Sequence, residues 1–347
     1  MEKKIGSWLS VVTGMVFGIV VVGGVTRLTE SGLSITEWKP ITGTIPPLSE
    51  EEWQAEFEKY KQYPEFKRLQ PNMTVDEFKQ IFFWEWGHRV LGRLIGVAFA
   101  LPFAYFVAKK ALNRGQIMHY TGLLALGGAQ GALGWYMVKS GLEVGEHEQP
   151  RVSAHRLTAH LGTAFLLYMG LHWGAMTMFR RNIAVSQPIP KWLKAAAGGM
   201  TALTFLTAMS GAFVAGLDAG LCYNEFPYMG DGLVPEEYWR KSPAWKNFTE
   251  NSAAVQFNHR VMGLTTFTAS QILWLASRKA PLPKPTRTAV NAIAAMGWIQ
   301  AGLGISTLLY FVPVPLAAAH QAGSLTLLTL STWLLHTVVR RKPITRI

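Results

Sequence analysis

"EWGHRVLGRLIG", residues 85–96, sets an acid, a histidine and two arginines at the head of an apolar run. Hydrocarbon rejects such groups, so a helix bound for a bilayer keeps them only where they work or where they sit at its edge. Working outward from this stretch, apolar windows of roughly 20 residues, the length that crosses ~30 Å of hydrocarbon as a helix, recur along the chain. Eight are found, at 8–26, 90–108, 117–138, 157–178, 195–217, 258–277, 288–310 and 317–338. The chain of 347 residues is 49% hydrophobic and 16% charged, which is too apolar for an ordinary soluble domain. The expectation is an all-α integral membrane protein with eight transmembrane helices. The first window lacks a small-residue cleavage pattern and reads as a span rather than a signal peptide, with no transit-peptide composition before it.

Charge orients the spans. With the N-terminus inside, the inner segments hold Lys3, Lys4, Lys109, Lys110, Arg114, Arg180, Arg181, Lys191, Lys194, Arg278, Lys279, Lys284, Arg287, Arg340, Arg341, Lys342 and Arg346 against a single acid, Glu2. Lys and Arg collect on the side that is not translocated, so both termini are expected inside. The net charge of +12 is then an insertion signal, and no nucleic-acid partner is implied.

The opening stretch has a counterpart. "QFNHRVMG" at 256–263 matches it, with His88, Arg89, Val90 and Gly92 answered by His259, Arg260, Val261 and Gly263. "RLTAHLGTAFLL" carries His160 where "PLAAAHQAGSLTLL" carries His320, and "QGALG" from Gln130 is answered by "QAGLG" from Gln300. Gly23, Gly32, Leu33, Glu37 and Pro47 recur as Gly211, Gly220, Leu221, Glu225 and Pro235. The chain therefore reads as two tandem pseudo-symmetric four-helix bundles, 1–182 and 183–347.

In this topology His88, His160, His259 and His320 all lie in the first turn or so of helices running from outside to inside. Two histidines on different helices at matching depth are what a haem iron needs, one imidazole on each side, in an apolar slot. Two halves imply two haem sites. His119, His172 and His336 read as structural or interfacial residues. His147 and His155 read as loop or helix-entry residues, with His155 close enough to His160 to compete as a ligand. Cys222 is the single cysteine, so neither a disulfide within the chain nor a thiolate cluster is available, and zinc or copper fits less well than porphyrin iron.

Glu85 precedes His88 by three residues and shares its helix face. Gln256 stands at the same place in the second half, which implies that the first site diverged for chemistry and the second for holding a cofactor. The other reading of Glu85 is a plain i, i+4 pair with Arg89. Arg89 and Arg260 are candidates for haem propionates, since a guanidinium forks onto a carboxylate, or else reach for the interface. Arg93, a turn deeper, is expected to find a partner inside the bundle.

The outer loops carry two helix-start signals. Ser49 with Glu52 opens a segment with Trp53, Phe57 and Tyr60 at helical spacing, an amphipathic helix over the outer face. Thr74 with Glu77 opens the approach to the second span. "LGGAQGALGW" in the third span reads as close helix packing.

"GGVTRLTESGLSITEWKPITG", "EFKQIFFWEWGHR", "RVSAHRLTAHLG", "GLDAGLCYNEFPYMGDGLVP", "VQFNHRVMG" and "GISTLLYFVPVPLAAAHQAGS" together resemble the haem A synthase family, in the type found in mitochondria and related bacteria. The resemblance covers essentially the whole chain. It implies oxidation of a methyl group of haem O to a formyl group through a hydroxymethyl intermediate, giving the haem A of cytochrome c oxidase. Carried over by position, it implies that His88 and His160 hold the substrate haem, that His259 and His320 hold a haem b cofactor, and that Glu85 is the catalytic carboxylate. Many bacterial relatives carry a cysteine pair in an outer loop; this chain has only Cys222, so no mechanism that needs the pair applies. Bis-histidine ligation leaves no open position on iron. Electron removal from the methyl group with proton transfer to Glu85, and the second haem as electron relay, is the mechanism that follows.

The partners implied are haem O, a haem O synthase, electron-transfer proteins, the lipid bilayer and a second copy of the chain. The localisation implied is the mitochondrial inner membrane with matrix-side termini, the alternative being a bacterial cytoplasmic membrane. The rival from another class is a di-haem electron-transfer protein of cytochrome b type, which calls for haems near opposite membrane faces. A passive haem carrier would not need Glu85.

Overall fold

The computed structural model describes residues 1–39, 42–143, 145, 150–180 and 189–339. His147, Arg181, Arg340, Arg341, Lys342 and Arg346 lie outside the described residues, as does the side chain of Arg180. Apart from one isolated bridge between Met229 and Gly232, repetitive structure among the described residues is helical. Inside hydrocarbon a helix satisfies its own backbone groups, which is the physical reason for that uniformity.

In chain order the α-helices are α1 (Glu2–Leu28), α2 (Glu50–Tyr60), α3 (Pro64–Leu69), α4 (Val75–Ala108), α5 (Arg114–Leu142), α6 (Ala154–Arg180), α7 (Lys191–Gly216), α8 (Asn247–Glu250), α9 (Ser252–Ser277), α10 (Lys284–Leu309) and α11 (Val314–Val338). Among them α1, α4, α7 and α10 are long and apolar enough to cross a membrane. Their starts are written locally. Thr74 caps α4 in a reciprocal box with Glu77, Asn113 does the same for α5 with Gln116, and Asn251 caps α9 by accepting from the amide of Ala253. Proline in the first turn opens α10 and α11, where its missing N–H costs nothing. At α2 only half of the expected box forms: Ser49 accepts from the Glu52 amide, but the Glu52 carboxylate turns to the amide of Leu48.

By compactness the chain falls into two units, Met15–Ala164 and Met1–Gly14 with Phe165–Ile347. In the first, α4 packs on α5, and α2 packs on the opening turns of α4. Trp53, Phe57 and Tyr60 of α2 are buried with Phe78 and Phe82 of α4, and Ile35 from the loop after α1 packs on the same cluster. This confirms α2 as an amphipathic cap. In the second unit α7 and α10 each pack on both α9 and α11, which closes a ring of four helices. Leu193, Ile293 and Leu334 sit at its centre with no exposed surface. The C-terminal part of α6 packs on α11, with the Tyr168 and Thr329 hydroxyls 2.7 Å apart and Thr177 Oγ1 3.1 Å from His336 Nε2. His172 stacks on Tyr168. His336 therefore belongs to helix–helix packing, while His172 stacks within its own helix.

Candidate haem sites

Each of the four repeated histidines packs on a glycine of the preceding spanning helix. A β-carbon built on Gly23 of α1 would lie 3.0 Å from His88 Nε2, and one on Gly134 of α5 would lie 3.2 Å from His160 Cε1. The second half repeats this, with Gly211 of α7 against His259 at 3.0 Å and Gly304 of α10 against His320 at 2.8 Å. Gly23 and Gly211 are repeat partners, as are Gly134 and Gly304. At such separations any side chain would push the imidazole away, so glycine is what lets helix and ring share the space. Gln130 Nε2 donates to the His160 carbonyl at 2.8 Å, and Gln300 Nε2 to the His320 carbonyl at 2.8 Å. The turn carrying each second histidine is thereby tied to its neighbour.

The first histidines carry a second matched network. Arg89 Nη2 donates to the Ile35 carbonyl at 3.0 Å and to Glu85 Oε1 at 2.5 Å. Arg260 Nη2 donates to the Tyr223 carbonyl at 3.0 Å and to Gln256 Oε1 at 3.3 Å. Ile35 and Tyr223 are repeat partners, so both arginines clamp the corresponding loop of their own repeat. The halves differ at the residue between loop and arginine. Glu85 is 3% exposed and accepts from Ser34 Oγ and from the Ile35 amide, both at 2.7 Å. Gln256 is also 3% exposed but donates its amide to the Tyr223 carbonyl at 3.1 Å. A buried carboxylate is tolerated only when its lone pairs are filled, and Glu85 has a guanidinium, a hydroxyl and an amide on its two oxygens.

Comparison with known proteins decides the family. Residues 6–332 match the profile of the cytochrome oxidase assembly protein family. The haem A synthase of Mus musculus is 50% identical over 99% of this chain and 83% of its own length. That of Nitrosospira multiformis is 46% identical over 98% of this chain and 95% of its own length. A haem A synthase–mitochondrial ferredoxin fusion protein of Schizosaccharomyces pombe is 46% identical over 94% of this chain and 59% of its length.

This chain belongs to the haem A synthase family.

A haem fits the donor sets that this haem A synthase family member presents. The ring centroids of His259 and His320 are 6.3 Å apart. Metal–imidazole bonds of ~2 Å put two rings bonded across one metal roughly 6 Å apart. Nδ1 of both His160 and His320 is buried without a hydrogen-bond partner, which leaves ring nitrogens available to a metal. Ser210 Oγ is 2.8 Å from His259 Nδ1, the contact that fixes the orientation of a ligating imidazole. The repeat position of Ser210 is Val22, which has no hydroxyl to offer His88.

One expectation needs correction. His160, His259 and His320 are the seventh, eighth and seventh residues of their helices, and His88 is the fourteenth of α4. They stand two to four turns inside, not in the first turn, because the Thr74 box starts α4 early and the helix runs unbroken into its apolar part. Arg93 reaches the Lys39 carbonyl at 2.9 Å, in the segment that follows α1. Arg89 pairs with Glu85, as the i, i+4 reading had it, yet that pair is one edge of a larger buried network. Ser34, Ser210, Gln130 and Gln300 were missed as site residues. Only the glutamines had a signal, their place in the repeated motif.

Proposed function

We propose that this chain oxidises a methyl group of haem O to a formyl group through a hydroxymethyl intermediate, and so makes the haem A of cytochrome c oxidase. The eight long helices are read as eight spans in two tandem bundles, 1–182 and 183–347, with both termini on the inner, Lys- and Arg-rich side. The membrane is the mitochondrial inner membrane or, in a bacterium, the cytoplasmic membrane.

His88 and His160 hold the substrate haem, with Glu85 at its rim. The observation that carries this reading is the matched network in which Glu85 replaces Gln256: the same fold position, equally buried, has a proton acceptor in one half and an amide in the other. Glu85 takes the proton given up at the methyl carbon, the two electrons of each oxidation leave one at a time toward the electron partner, and water supplies the oxygen of the hydroxymethyl group. Arg89, Ser34 and the Ile35 amide hold the carboxylate aimed until then. Once Glu85 is protonated, Ser34 and Arg89 remain as partners, so the loop stays closed. His259 and His320 would hold haem b, which when bound supplies one-electron transfer. The ferredoxin fused to the Schizosaccharomyces pombe relative supports a ferredoxin-class protein as electron partner.

The test is to express the chain in a host that makes haem O, purify it in detergent, extract the haems and separate them with mass detection. Haem A or its hydroxymethyl precursor beside haem b, absent in Glu85→Gln, is the expected result. Two equivalents of haem b alone would support a di-haem electron-transfer protein instead.

A further inference from the structure

A pocket of about 260 Å³ opens at Arg89, the residue after His88, and is lined among others by Trp38, Tyr63, Trp135, Lys139 and Leu142. Two cation–aromatic pairs meet across it. The Arg89 guanidinium lies 5.9 Å from the Trp38 ring centre, and Lys139 Nζ lies 5.4 Å from that of Trp135. The two indoles touch edge to face, with centroids 6.5 Å apart. Both are partly exposed, at 50% and 39%, so their ring faces are open to the pocket.

The two cations are not equivalent. Arg89 has spent its fork on Glu85 and on the carbonyls of Ile35 and Glu37. Glu37, on the pocket wall, is occupied by Lys39 and Lys59. Lys139 makes no ion pair among the described residues; the Trp135 face is its partner. It stands five residues along α5 from Gly134, the residue on which His160 packs, a rise of about 7.5 Å. The second half lacks the pair: the repeat positions of Trp135 and Lys139 are Ile305 and Leu309, and that of Trp38 is Phe226.

We infer that this pocket is the carboxylate subsite of the first haem site, in which Lys139, backed by Trp135 and Trp38, receives a propionate of the incoming haem. The inference rests on the reading of His88 and His160 as substrate ligands. A half that must take up one haem and release another gains from an exposed cation at its mouth; a half that retains its haem has no such need. The arginine expected for the propionate is a loop clamp, and the lysine one helix away does the recognition.

The experiment titrates the purified full-length chain with iron protoporphyrin IX and, separately, with its dimethyl ester, following the Soret change that is lost in His88→Ala. Lys139→Met should weaken the free acid about tenfold, the worth of one charged hydrogen bond, and leave the ester unchanged. Lys139→Arg should restore the free acid. Equal weakening of acid and ester, or no weakening of the acid, overturns the subsite while the substrate-haem reading stands. Absence of any Soret change that depends on His88 overturns both.

Discussion

A β-carbon on Gly304 would lie 2.8 Å from Cε1 of His320. The neighbour is a ring on a packed helix with its carbonyl held by Gln300, so it yields only by turning out of the slot. Gly304→Ala should therefore cost about 1–3 kcal/mol of overpacking and strip haem from the second half. Gly263 of α9 has nothing within 4 Å of its β-carbon, and Gly263→Ala should retain it. Haem content per chain, by pyridine haemochrome, checks both.

Glu85→Gln should fold, because Gln256 occupies the repeat position at the same burial beside an equivalent arginine. It should lose haem A formation by at least about 100-fold, the usual worth of a positioned proton acceptor. Arg89→Met is the harsher change. It leaves a buried carboxylate short of its counter-charge, at about 3–5 kcal/mol, and frees the Ile35 and Glu37 carbonyls, so yield of folded protein should fall as well. Extracted haems and melting in detergent separate the two effects.

Ser210→Ala removes the hydroxyl at His259 Nδ1. Loss of such an outer partner typically costs about 10–100-fold in affinity. Haem retention under dilution should drop accordingly, and the reduction potential of the second site should shift. A purely structural serine would leave the potential unmoved. Val22→Ser in the first half should do the reverse and slow haem exchange there, read by stopped-flow transfer to apomyoglobin.

Glu65 of α3 is 5% exposed and accepts from the Tyr60 hydroxyl at 3.1 Å. Burial pushes its carboxyl up to about 8, against the pull of the Tyr60 hydrogen bond, while Glu85 and Glu30 add to the rise and Arg27 opposes it. A carboxyl with its folded pKa above the unfolded one stabilises the fold fully at pH below the usual carboxylate range, and that stability is lost as pH rises through about 8. The cap of α2 and α3 should therefore exchange its amide hydrogens faster at pH 9 than at pH 6 by more than the intrinsic pH effect. Glu65→Gln should abolish the excess.

Much of the site was legible because it is repeated. His88 with His259, His160 with His320, and Glu85 against Gln256 share registers that survive loop insertions, and a repeated register is visible in one dimension. The glycines were legible as repeated positions but not as seats for imidazoles, since that contact joins two different helices. The arginines were ambiguous for the same reason. A guanidinium that bonds backbone carbonyls leaves no mark on the identity of the residues it bonds.

The amino-acid order by itself determined the apolar helices, their caps, the twofold repetition and the histidine pairs, because these follow from periodicity and local hydrogen bonding within one segment. Tertiary structure alone decided how deep His88 stands in α4, that Ser34 and Ile35 grip Glu85, that Ser210 touches His259 and that Trp38 meets Trp135 at the pocket. These depend on where a helix stops, how a loop returns and which faces pack. Each is settled by the competition of many weak contacts across the fold, and no single stretch of residues encodes it.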